Sequence, residues 1–461
     1  MIELESRGQG HVLAYYNELN DTEKAHLDSQ LAELDWNLLD GLIDKYVLNS
    51  PDFSLPQNIG PAPYFAFDVQ DKEFYDKAYD TGIELIKSGK LGCFIVAGGQ
   101  GSRLGFDGPK GTYPVSPIED KTLFQLFAER IGRYNELYQT NIPLYVMTSQ
   151  ANNEDTVSFF EANDYFNLSK EDVIFFKQGR MPAFDFEGKL ILSDKSSLFM
   201  SPDGHGGSLR ALHNSGALAD MAERGIDYIS YFQVDNPLAD MVDPTFLGLH
   251  VLEESEMSNR MFAKRDASEK LGVFCEVDGK IQVIEYSDLP EELSKEVDAN
   301  GKLRFLAGSP AIHLITRSFV EELNADGFSL PFHRAIKKVP YLNADGEQVK
   351  PDEANGVKLE TFVFDALPLA KKSMVYEALR ERQFAAVKNP DGNDSPISCR
   401  EIMQEEFARW LKLANIDVPR DADGKLACTL EISYAKYANA EDFASVSHEI
   451  EINAGDKVYI G

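Results

Sequence analysis

A chain of 461 residues has room for two or three domains at the usual ~100–200 residues each, and for a sizeable buried core. Its 45 Lys and Arg stand against 76 Asp and Glu, a net charge of −31. That surplus disfavours nucleic acid or an anionic membrane as the main partner, because both reward clustered positive charge. At 43% hydrophobic and 11% aromatic residues, with a mean hydropathy of −0.30, the composition is that of a folded soluble protein. Cys93, Cys275, Cys399 and Cys428 are far apart without CxxC spacing, which indicates neither a zinc knot nor a disulfide framework. The start lacks a basic stretch before an apolar core, and no apolar run approaches the ~18–20 residues of a membrane span, so the expected compartment is the cytoplasm.

In chain order, residues 11–47 place Leu27, Leu31, Leu34, Leu38 and Leu42 at helical spacing, and Asn20 precedes Glu23 by three. This reads as a capped helical leader. Breakers over 50–63 mark a connecting arm, and 74–87 resumes a helix. From residue 91 the pattern changes to short continuous apolar runs at 91–97, 143–147, 173–176, 228–234 and 311–315, with amphipathic stretches such as 122–137 and 209–224 between several of them. Such alternation predicts an α/β fold with a largely parallel sheet covered by helices on both faces. Asp278-Gly279 between two alternating strands predicts a tight hairpin. After 390–396 come one helix, expected at 402–414, and strand-like pieces. The expected domains are an N-terminal helical segment 1–88, a catalytic domain 89–389 and a small C-terminal domain 390–461.

The segment richest in chemistry runs from Ala97 through Gly98-Gly-Gln-Gly-Ser-Arg-Leu-Gly105 to Gly108-Pro-Lys-Gly-Thr112, directly after a buried run. Six glycines let the backbone bend and approach a ligand, and their N–H groups can cradle phosphate oxygens. Arg103 adds a two-pronged cation and Lys110 a point charge. The dinucleotide fingerprint fails because position 104 is Leu104, and a Walker A loop fails because Pro109 precedes Lys110 and Gly111 follows it. A plain glycine-rich turn stays open as the alternative, although two cations beside six glycines favour a nucleotide site.

This segment, with Thr122-Leu-Phe-Gln, Val173-Ile-Phe-Phe-Lys-Gln-Gly179, Pro202-Asp-Gly-His-Gly-Gly207, Val234-Asp-Asn236, 272–286 and Phe362-Val-Phe-Asp365, resembles the UTP-dependent sugar-1-phosphate uridylyltransferases, in particular their UDP-N-acetylhexosamine pyrophosphorylase branch. The resemblance extends to about Asn389. It implies a Rossmann-like mixed, mostly parallel sheet of the nucleotide-diphospho-sugar transferase type, flanked by helices. It also implies in-line attack of a sugar 1-phosphate on the α-phosphorus of UTP with Mg²⁺, pyrophosphate leaving, and no obligatory protein partner. By the same resemblance Gly98, Gly99, Gln178 and Gly204 bind the nucleotide, Gln178 reading the uracil edge with its amide. Arg103, Lys110 and Lys388 hold phosphates and are the catalytic candidates, while Asp235 holds the metal. On residue type alone, Gln178 and Lys388 read as solvated surface residues, and an aspartate at a strand end such as Asp235 is often a helix cap.

At the sugar end the resemblance points to Gly272, Glu285, Phe362 and Phe364, although alternating aromatics in a strand are more often simply core. Two positions depart from the branch, which carries asparagine where this chain has His205 and Ser309. Gly-His-Gly is similar instead to the glucose-using and broad-specificity branches. The sugar therefore stays open among N-acetylglucosamine, N-acetylgalactosamine, glucose and galactose. A UDP-sugar-binding protein without turnover is the alternative of a different class.

Overall fold

The computed structural model describes residues 2–49, 55–56, 58–68, 71–343 and 345–461, so that residues 50–54 and 57 of the expected connecting arm lie outside it. The chain forms two units. The larger comprises Pro56–Lys177, Leu212–Gly327 and Ala366–Gly461, and the smaller Met1–Leu55, Gln178–Ala211 and Phe328–Asp365.

The larger unit is built on an eleven-stranded mixed sheet. Its strands are β1 (Ile59–Pro61), β2 (Leu91–Val96), β3 (Leu144–Thr148), β4 (Val173–Lys177), β5 (Tyr228–Gln233), β6 (Met257–Ala263), β7 (Val273–Val277), β8 (Lys280–Ile284), β9 (Ala307–Gly308), β10 (His313–Thr316) and β11 (Ser373–Glu377). The order is β1-β7-β9-β6-β10-β5-β2-β3-β4, with β8 on β7 and β11 on β6. Strands β5, β2, β3 and β4 are parallel neighbours, and these are the apolar runs that the sequence marks as covered on both faces. The other half is mostly antiparallel, and its hairpin turns at Asp278 and Gly279 with φ of 50° and 78°, the paired positive values of a two-residue turn that matches strand twist.

Helix Leu123–Tyr138 starts where Thr122 accepts the Gln125 amide hydrogen at 3.2 Å. Its Phe124, Phe127 and Ile131 share one buried cluster with Cys93 and Ile95 of β2. Helices Lys72–Lys87 and Pro244–Leu252 meet backbone to backbone: a Cβ on Gly248 would lie 1.7 Å from the Ala78 carbonyl oxygen, and one on Gly82 1.9 Å from that of Pro244. Cys93, Cys275 and Cys399 are buried free thiols and Cys428 is half-buried; burial pushes the Cys275 thiol up to about 12. Among the described residues no helix is long and apolar enough to cross a membrane.

Several boundaries differ from expectation for definite reasons. The stretch 209–224 is two helices, Gly207–Asn214 and Ala217–Glu223, because Gly216 at φ 83° breaks the ladder. Strand β10 begins at His313 rather than 311, Ala311 being held at φ 57°. The helix expected at 402–414 begins at Pro396, where Ser395 caps it and the proline occupies the first turn, a position that needs no N–H. The last strand-like pieces, Thr429–Ile432 and Lys457–Ile460, pair in parallel. In the smaller unit the helical leader is two turns, Gly10–Leu13 and Tyr16–Glu18, followed by helices Asp21–Ala32 and Trp36–Leu42. The Asn20–Glu23 capping box is present in both directions, at 2.8 and 3.0 Å. Leu27, Leu39 and Leu42 pack there with Phe184, Val357 and Leu359.

Because the Gly82–Gly248 crossing leaves no space for a methyl group, Gly248→Ala is expected to lower stability by about 3 kcal/mol, the upper range for overpacked cores. The urea midpoint reads this directly; an unchanged midpoint would mean that the helices part without cost.

Candidate active site

Strand β2 delivers the glycine loop at its carboxyl end, where open α/β sheets bind ligands. The loop is closed on itself: the Gly101 amide donates to the Gly108 carbonyl at 2.9 Å and the Lys110 amide to that of Gly99 at 3.0 Å. From the end of β3, the fully buried Asn152 donates through its side-chain nitrogen to the carbonyls of Ala97 (2.9 Å) and Gly99 (3.2 Å). Its own oxygen is fixed by the Ser149 amide at 2.7 Å. Gly98 is half-buried, and Gly99 is exposed with open space where a Cβ would stand. Arg103 stands exposed on the turn Ser102–Leu104, and Lys110 begins the turn Lys110–Thr112.

Asp235 follows the neighbouring strand β5. Its Oδ2 accepts from Lys110 Nζ at 3.2 Å, with both side chains less than a fifth exposed. The next residue, Asn236, grips a distant segment at two points: its side-chain nitrogen donates to the Gln383 carbonyl at 2.8 Å, and its oxygen accepts the Ala385 amide at 2.9 Å. In the same register the Val387 amide donates to the Asp235 carbonyl at 2.8 Å, which brings Lys388 to this strand end. The Lys388 ammonium lies 5.4 Å from the Phe384 ring centre, and its own amide is tied to the Asp394 carbonyl at 2.6 Å. Lys110, Asp235 and Lys388, 278 positions apart from first to last, are thus gathered at the ends of two adjacent parallel strands.

A second group in the same unit forms at the hairpin. The buried Gly272 accepts the Ser309 amide through its carbonyl at 2.9 Å, and a Cβ on it would sit 3.0 Å from Glu285 Oε1. Gly272, Glu285 and Ser309 are therefore neighbours.

The smaller unit gathers the rest. Gln178 is half-buried and precedes Gly179, against whose Cα the Asp203 carboxylate packs so closely that a Cβ would fall 2.2 Å from Oδ2. Burial pushes the Asp203 carboxyl up to about 6. The backbone of Asp203 accepts from the Thr361 amide and hydroxyl at 2.8 and 3.0 Å, and Gly204 lies against the same residue, a Cβ there meeting the Thr361 carbonyl at 2.3 Å. His205 Nδ1 accepts the Val363 amide at 3.1 Å, so the proton of the neutral ring belongs on Nε2. Burial, aided by nearby His333, lowers its pKa to about 4, which keeps the imidazole neutral near pH 7. His205 stacks on Phe362 at 5.3 Å, and His333 stacks on it at 4.4 Å while its Nε2 meets Asp365 Oδ2 at 2.7 Å. Phe364 is buried, whereas Phe362 is half-buried.

Asn152 and His333 are absent from the sequence reading, and Asn236 and Asp203 enter it only as members of motifs, without a role of their own. Asn236 carried a usable signal, a second polar residue directly after a buried strand, while Asn152 and His333 sit in stretches with no pattern of their own.

With this geometry in place, the likeness to known proteins is informative. The family model described as UTP–glucose-1-phosphate uridylyltransferase matches residues 70–402. A UDP-N-acetylhexosamine pyrophosphorylase-like protein 1 of Mus musculus is 36% identical over 430 residues, 88% of this chain and 84% of the relative. The UDP-N-acetylglucosamine pyrophosphorylase of Saccharomyces cerevisiae is 32% identical over 93% of both chains. Among solved structures, the uridine diphosphate N-acetylglucosamine pyrophosphorylase of Trypanosoma brucei in complex with an inhibitor superposes with a TM-score of 0.81 at 27% identity, over 96% of this chain and 93% of that one. A UDP-glucose pyrophosphorylase of Leishmania major, at 14% identity and a TM-score of 0.62, shares the fold. The family match over most of the sequence, together with relatives of this identity over nearly full length, shows that the chain belongs to the UTP–glucose-1-phosphate uridylyltransferase family.

Proposed function

We propose that this protein is a nucleotidyltransferase that joins UTP and an N-acetylhexosamine 1-phosphate into a UDP-sugar and releases pyrophosphate. The observation that carries the reading is the gathering of Lys110, Asp235 and Lys388 at the carboxyl ends of β2 and β5, beside the open backbone at Gly99.

A phosphate oxygen of the sugar 1-phosphate attacks the α-phosphorus of UTP. The new P–O bond forms as the bond to the bridging oxygen of the β-phosphate breaks, and pyrophosphate departs with the electron pair. The attacking oxygen is already an anion, so no general base is required. The protein must align two mutually repelling anions and cover the charge that builds on the leaving oxygen. Arg103, Lys110 and Lys388 supply that cover, and Gly98 and Gly99 let the backbone reach the nucleotide. In the smaller unit, Gln178 offers the donor and acceptor that a uracil edge requires, and Gly204 is the other nucleotide candidate of that unit. Gly272, Glu285 and Ser309 suit sugar hydroxyls.

Uridylyltransferases of this family generally use a divalent metal; Mg²⁺ is the ion proposed here. The donor chemistry fits: Asp235 offers one hard carboxylate, 18% exposed, and among the described residues no cluster of three or more His, Cys, Asp or Glu gathers as a closed metal cage. One carboxylate suits an ion that takes its other ligands from phosphates and water. When bound, Mg²⁺ supplies charge neutralisation on the phosphates.

A second reading, glucose 1-phosphate or galactose 1-phosphate as acceptor, draws on His205 and Ser309. Pyrophosphate release from UTP and Mg²⁺ with each of the four sugar 1-phosphates separates them: fastest release with an N-acetylhexosamine supports the first reading, preference for glucose or galactose the second, and none with any sugar removes both. Lys388→Ala is expected to lower turnover by roughly 10²-fold, the order of one lost transition-state charge contact; an unchanged rate would remove Lys388 from the phosphates. Asp235→Asn is expected to shift the Mg²⁺ titration to higher concentration, and an unaltered curve would assign the ion another ligand.

A further inference from the structure

The C-terminal segment touches the loop that follows the glycine loop, at several points that the proposed reaction does not use. Between the turn Lys110–Thr112 and helix Leu123–Tyr138, residues 113–122 make a loop closed at its base, the Leu123 amide donating to the Tyr113 carbonyl at 3.2 Å and the Tyr113 amide to that of Lys110 at 3.0 Å. At the tip, the amides of Ile118 and Glu119 both donate to Glu431 Oε2, at 2.6 and 2.9 Å. Glu431 lies on strand Thr429–Ile432 and is 2% exposed. Hydrogen bonds from amides to a carboxylate are roughly twice as strong as those between neutral groups. On the other side, Arg400 from helix Pro396–Leu413 donates to the carbonyls of Ser116 (3.3 Å) and Pro114 (3.4 Å) and reaches Asp120 at 3.4 Å, a residue at φ 49°. Lys121 Nζ donates to Ser433 Oγ at 3.3 Å. The same helix starts at the turn whose Asp394 carbonyl receives the amides of Lys388 and Asn389.

We propose that the C-terminal segment is a brace that sets both phosphate lysines, with Glu431 and Arg400 as positioning residues for Lys110. The proposal rests on the role given to Lys110 above. The loop tip is fixed by donors reaching Glu431 and by acceptors facing Arg400, and its base is the turn that aims Lys110 at Asp235. Loosening the tip frees that turn, and the ammonium is no longer held at the strand end.

Steady-state kinetics on the full-length chain and native-state hydrogen exchange test this together. Glu431→Ala is expected to lower kcat/KM for UTP about tenfold, and Glu431→Gln, which keeps an acceptor oxygen at the loop amides, to recover most of the loss. In a Lys110→Ala background, Glu431→Ala should cost less than about twofold further, because a positioning residue has little left to position. A full tenfold loss in that background would overturn the proposal. Amides of residues 110–122 should exchange at least about tenfold faster in Glu431→Ala while those of β2 are unchanged. Equal exchange would overturn the brace even if the wild type turned over no sugar, an outcome that would instead remove the proposed function.

Discussion

The Asn236 side chain is the fastening on which the candidate catalytic centre depends. Buried and bonded at both ends of its amide, it holds the backbone of Gln383 and Ala385 against the end of β5. This register puts the Val387 amide on the Asp235 carbonyl and Lys388 at the mouth of the sheet. Asn152 does the corresponding work for the glycine loop from the end of β3. Both are asparagines because only an amide side chain offers a carbonyl acceptor and an N–H donor side by side, and because burying either one unsatisfied would cost about 1–3 kcal/mol. At these two strand ends the candidate catalytic groups are charged, and the side chains that fasten their backbone are neutral.

The same division explains how much was legible in the sequence. The parallel strands β2 to β5 are continuous apolar runs, and Asp278-Gly279 is a turn dipeptide, so local chemistry and fold agree there. Strand β6 was invisible because its centre is Ser258-Asn259-Arg260, polar residues that are nonetheless buried. Each has partners on other elements: Ser258 meets His250 at 2.7 Å, Asn259 the Met374 carbonyl and His313, and Arg260 pairs with Asp243 between the rings of Phe246 and Tyr376. No periodicity rule reads such a strand, since its burial is earned by contacts rather than by composition. The smaller unit draws its core from three separated stretches. Their short strands, such as Arg180–Pro182, are below the length at which alternation can be recognised.

Charge shows the reverse, a global property that misleads locally. A surplus of −31 argues against partners that must be matched along a surface. It says little about one strand end at which Lys110 pairs with Asp235 and to which Lys388 is brought. Within the smaller unit, His205 is kept neutral by burial and by accepting the Val363 amide, so it offers ring stacking and hydrogen bonding rather than charge. Of the aromatic pair at 362 and 364, the second ring is buried and the first half-buried.

The hydrogen bond from Ile118 to Glu431 joins residues 313 positions apart. Its consequence lies in the order of events during synthesis. The strands β2 to β5 and their helix can collapse while the ribosome is still at work, but the loop that aims Lys110 waits for residue 431, and Lys388 waits for the helix that begins at Pro396. Contacts of such high sequence separation are formed late and pay the largest loop-closure entropy. A nascent chain can therefore own a complete sheet while the strand end that gathers Lys110, Asp235 and Lys388 is still unassembled, so completion of the candidate site marks the end of folding rather than its beginning.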